Sequence, residues 1–113
     1  MKNLIKEAPG VAQSFFDLAK SVNEFSPLGT KINELIIIGI FVTHRGLRGL
    51  NTHIERAMEE GATKQEVIAA ILLALPIIGI TDANLAIDQA METIDRMEAQ
   101  MAGKKEVVGA PVS

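Results

Sequence analysis

The chain has 113 residues, of which 48% are hydrophobic and only 4% aromatic, with a net charge of −3. That length suits one domain, and an acidic balance offers no positive field to a phosphate backbone, so nucleic acid is excluded as the expected partner. Cysteine is absent, which rules out disulfides, thiolate metal sites and thiol redox cycles.

The first ten residues, "MKNLIKEAPG", lack the apolar core and cleavage site of a signal peptide. After Pro9, apolar residues recur at Val11, Phe15, Leu18, Ala19 and Val22, the stripe of an amphipathic helix. "FSPLGT" interrupts it: Pro27 and Gly29 supply a turn, and Thr30 is the expected cap of a second helix from Lys31. That helix carries Leu35, Ile36, Ile37, Ile38, Ile40, Phe41 and Val42 almost all round, so burial on most sides is expected. A strand over 35 to 42 is the alternative, but no second strand-like run offers it a partner, and helix is the better reading.

A third helix is expected from Gly46 to Glu60, stopped at Gly61. Two glycines within it, Gly46 and Gly49, share a face with His53 and cost roughly 1 kcal/mol each against alanine. His44, Arg45 and Arg48 read as helix-end cations favoured by the dipole. Thr63 and Glu66 stand at capping-box spacing before the apolar run Val67 to Leu75, the clearest helix start in the chain. Pro76 must kink or end that helix, and Gly79 fits a following turn.

The last helix is expected near Thr81 or Asp82, with Ala83, Ile87, Ala90, Met91, Ile94, Met97 and Met101 on one face. Its methionines at 91, 97 and 101 read as packing surface. Residues 1–102 then form a single all-α domain, and 103–113, without periodicity, a flexible C-terminal tail. The two apolar runs, "ELIIIGIFV" and "VIAAILLALPIIGI", fall short of the ~20 residues that span a bilayer. No membrane partner and a cytoplasmic location are the resulting expectations. Largely apolar helices on a chain this small suggest a homo-oligomer.

The stretch "KINELIIIGIFVTHRGLRGLNTHIERAMEEGATKQEVIAAILLAL" resembles the carboxymuconolactone decarboxylase superfamily, which also holds the alkylhydroperoxidase D-like proteins. The resemblance runs from Lys31 to Met91. The family's redox branch carries a glutamate, a Cys-x-x-Cys pair beginning twelve positions on, and a histidine four past the second cysteine. Glu34, Gly46, Gly49 and His53 occupy those places here. The resemblance implies a compact bundle of about five to six helices, assembled as trimers or hexamers. Both cysteine positions are glycine, so thiol peroxidase activity is excluded. The decarboxylase branch keeps the histidine without the pair, though its members carry Tyr-Gly-Pro after the Glu-led helix where this chain reads "LALPIIGITDAN".

On that resemblance His53 is the expected proton donor of a decarboxylase-like lyase and Glu34 its orienting partner. An imidazole exchanges a proton near neutrality, as protonation of an enolate-like intermediate requires, and a neighbouring carboxylate favours its charged form. Gly46 and Gly49 would leave a notch where a small substrate reaches the ring. Lys31 either holds a substrate carboxylate or pairs with Glu34 at i,i+3, the reading with fewer assumptions. No cofactor is called for, and no metal: Glu34 and His53 are two possible ligands without a third. The other reading is a non-catalytic oligomeric scaffold or small-ligand-binding protein, in which the glycines serve close packing and an acid near a helix start answers only to the dipole.

Overall fold

Proline and glycine divide the chain into helices, as their missing donor and permissive backbone dictate. The computed structural model describes residues 1–109, with side chains through Lys104. Within those residues it holds seven helices and no strand: α1 Lys2–Glu7, α2 Pro9–Phe25, α3 Thr30–Thr43, α4 Leu47–Glu59, α5 Lys64–Leu72, α6 Leu75–Ile78 and α7 Ile80–Gly109. Against the expected five to six, the helices not placed from the sequence are the short α1 and α6, and residues 35–42 are helical throughout.

The core lies where α3 packs on α4 and α5, with α7 crossing α4 and α5. Ile38, Leu50, Ile54, Val67, Ile71 and Ile94 are completely buried there. Ala83, Ala86 and Ala90 give α7 a small-residue face that is also buried. On α5 the capping box forms in full: the Thr63 hydroxyl accepts from the Glu66 N–H at 3.1 Å, and the Glu66 carboxylate accepts from the Thr63 N–H at 2.9 Å. Pro76 sits in the first turn of α6, and Gly79 leaves it at φ 91°.

Helix boundaries differ from the sequence reading where backbone geometry outweighs side-chain capping. Gly29, at φ 88°, is the N-cap of α3, and Thr30 is its first helical residue with no side-chain cap bond. Gly46 is the N-cap of α4 rather than an interior residue, following Arg45 at φ 55°. Helix α7 starts at Ile80 and continues through Gly109, beyond the end of the apolar stripe, because a formed helix adds residues without a new nucleation cost. Of the tail assigned to 103–113, residues 110–113 lie outside the described residues.

Two apolar faces find no cover within the chain. On α3, Ile32, Ile36 and Ile40 are about half exposed, so the expectation of burial on most sides does not hold for one copy. On α2, Ala12 alone is buried, and the helix packs chiefly on α1. Its C-terminal end is tied to α3, where Asn33 Nδ2 donates to Asn23 Oδ1 at 2.9 Å and the Ser26 hydroxyl donates to Asn33 Oδ1 at 2.5 Å. Helices α1 and α2 thus form an arm on a bundle of α3 to α7. Among the described residues no helix is long and apolar enough to cross a membrane.

Candidate functional site

Glu34 and Ile38 lie on the face of α3 that meets α4, so a carboxylate enters an apolar interface. Such burial is costly unless the charge is paired. His53, in the middle of α4, supplies the partner: Nδ1 stands 2.5 Å from Glu34 Oε2, and the two side chains are 17% and 8% exposed. With Glu34 ionised its carboxylate only accepts, so Nδ1 carries the hydrogen and donates it, which fixes the ring's orientation. Nε2 makes no hydrogen bond and is not among the buried atoms of the described residues. One ring nitrogen is therefore held and the other is without a partner among the described residues.

Phe41 completes the site, and the sequence reading missed its role. Its ring stacks on the imidazole with centroids 5.0 Å apart and planes 29° from parallel. The signal was available, since Phe41 lies seven residues after Glu34 and therefore on the same helical face. The ring also fills the space beside the two glycines. A Cβ on Gly46 would stand 2.6 Å from Phe41 Cδ1, and one on Gly49 would overlap the same ring. In this conformation the expected notch is thus occupied by an aromatic side chain.

Lys31 is placed elsewhere. Its Nζ meets Glu66 Oε2 at 3.1 Å across α3 and α5, and the expected i,i+3 pair with Glu34 is not made. The reason is directional: Glu34 points toward α4, where His53 takes it, while Lys31 faces the first turn of α5. The Glu66 carboxyl is held below the usual glutamate range, first by the Thr63 N–H and then by the Lys31 ammonium, against a smaller opposing effect of burial. His44 caps the C-terminus of α3, and Arg45 pairs with Asp82 at 3.0 Å, joining the α3–α4 turn to α7.

The arrangement can hold an imidazole in one tautomer and let it give or take a single proton. No group of three or more His, Cys, Asp or Glu residues among those described is placed to hold a metal ion. The model of the carboxymuconolactone decarboxylase family matches residues 9–92, which spans α2 through the first half or so of α7 and includes Glu34, Phe41 and His53. Comparison with curated proteins and with solved structures finds no match.

Proposed function

The chain belongs to the carboxymuconolactone decarboxylase family, and on that premise we propose that it is a cofactor-free acid/base lyase acting on a small carboxylated lactone or a related acid. The observation that carries this reading is the Glu34–His53 contact, with Nδ1 engaged and Nε2 free. Breaking the bond between the ring carbon and the carboxylate releases carbon dioxide and leaves the electron pair conjugated with the lactone carbonyl. His53 delivers the proton that quenches it and regains one from solvent. Glu34 keeps the imidazole oriented and offsets its positive charge while it is protonated.

Substrate reaches the ring beside Gly46 and Gly49, so Phe41 must swing away as it enters. Lys31, already paired with Glu66, is the weaker candidate for holding a substrate carboxylate. Trimeric or hexameric assembly belongs to the same proposal. Cysteine is absent, so the reading leaves no place for peroxide reduction through a disulfide.

Turnover of a γ-carboxy lactone by the purified chain, lost in His53→Gln with the fold retained, is the expected result. Full turnover in that variant would remove His53 from the chemistry. The competing reading, a scaffold that binds without reacting, is favoured by one observation: the notch is filled by a well-packed ring. It predicts ligand binding with no product.

A further inference from the structure

Helix α2 carries Val11, Phe15, Leu18 and Val22 at 4-3-4 spacing, which puts them on one face. All four are more than half exposed, from 51% to 62%. A second uncovered apolar surface lies between α3 and α5, in a groove of about 430 Å³. Ile32, Ile36 and Leu73 stand at its edges, 44%, 48% and 77% exposed. Gly39 and Ala70 line it where the two helices run close, a Cβ on Gly39 coming 3.4 Å from the Ala70 carbonyl oxygen. Its one charged lining residue, Glu66, is already engaged by Lys31. The groove therefore asks for an apolar ridge and offers nothing to a charged ligand.

The ridge is long enough to cover the whole groove wall. At 1.5 Å per residue, Val11 to Val22 spans roughly 16 Å, and the α3 wall of the groove from Ile32 to Gly39 roughly 10 Å. Within one chain they do not meet, because the Asn23, Ser26 and Asn33 hydrogen bonds hold the arm off its own groove. The area points the same way. A compact monomer of 12.2 kDa exposes about 6,100 Å², whereas this chain exposes 7992 Å². The excess, roughly 1,900 Å² per chain, is shared between the arm, the groove and the far end of α7, and it is larger than the roughly 1,000 Å² per partner at which permanent interfaces begin.

We propose that the α1–α2 arm of one copy seats its Val11, Phe15, Leu18 and Val22 face in the α3–α5 groove of a second copy. The occupant is a second copy because the chain itself carries the apolar ridge that the groove lacks. None of these residues belongs to the Glu34–His53 site, so the contact stands or falls apart from the catalytic reading.

Complementation tests it. One variant combines Phe15→Glu with Leu18→Glu on the arm, and the other combines Ile36→Glu with Leu73→Glu on the groove. Light scattering at micromolar concentration is expected to find the unmodified chain at twice the monomer mass or more, and each variant alone as a monomer. An equimolar mixture should return to at least the dimer mass, because a good arm then meets a good groove. Far-ultraviolet circular dichroism checks the helices, and alanine at the same positions replaces glutamate if helicity falls. A monomeric unmodified chain, a variant that assembles fully alone, or a mixture that stays monomeric would each overturn the proposal.

Discussion

Phe41 stands between two glycines and the imidazole of His53, and four residues thereby share one small volume. A methyl group at Gly49 has nowhere to go unless the ring leaves the imidazole. Gly49→Ala is expected to destabilise the chain by about 1 to 3 kcal/mol through overpacking, measured by urea unfolding. Much of that loss should vanish when Phe41→Ala is added, because neighbouring substitutions couple. Strict additivity would mean that the ring and the glycine are energetically independent. Glu34→Gln retains an acceptor for the Nδ1 hydrogen and removes the charge beside the ring, so turnover should fall while helicity is kept. Unchanged turnover would deny the carboxylate its part. At this scale the family register placed Glu34, Gly46, Gly49 and His53, and the contact between the first and last is a fact of folding that spacing alone does not supply. Phe41 was hidden because an aromatic residue in a run of Ile and Val reads as core.

Helix α5 owes its start to a cap that local sequence dictates, and the capping box was legible for that reason. Thr63→Ala should cost about 1 kcal/mol of stability, read from the unfolding midpoint, and no loss would mean that tertiary packing alone sets the helix start. Glu66 adds a pH dependence. Its carboxyl is held below the ordinary glutamate range by the Thr63 N–H and by Lys31, so its stabilisation is present above that range and is lost as the pH falls through the folded value. The difference in thermal midpoint between the unmodified chain and Glu66→Gln is therefore expected to be present at neutral pH and to narrow in acid. A difference that persisted undiminished at low pH would contradict this. The start of α3 was misplaced by one residue because a glycine at positive φ ended the preceding turn without a side-chain signal. The reach of α7 was underestimated because periodicity reports packing, and a helix can continue where packing stops.

On the scale of the whole molecule, the pattern of apolar residues promised burial on faces that one copy leaves bare. The stripe on α2 and the isoleucines of α3 were read correctly as apolar faces, but a sequence does not say whether the covering surface lies in the same chain. Their exposure turns the expectation of a single compact bundle into that of a bundle with an arm. Salt provides a further check on assembly. Contacts that bury apolar surface persist as ionic strength rises, whereas those between surface charges are screened. The assembled mass is expected to stay constant from low salt to about 1 M, and dissociation over that range would show that charge holds the copies together.

The central claim is that His53, held by Glu34, moves a proton in a decarboxylation. The direct test follows 4-carboxymuconolactone and related γ-carboxy lactones by ultraviolet absorbance, with the unmodified chain and His53→Gln side by side. Consumption by the unmodified chain, reduced about 100-fold or more in the variant with the helices intact, is the expected result. Consumption at the same rate in both proteins would contradict the claim, and consumption in neither would favour binding without reaction.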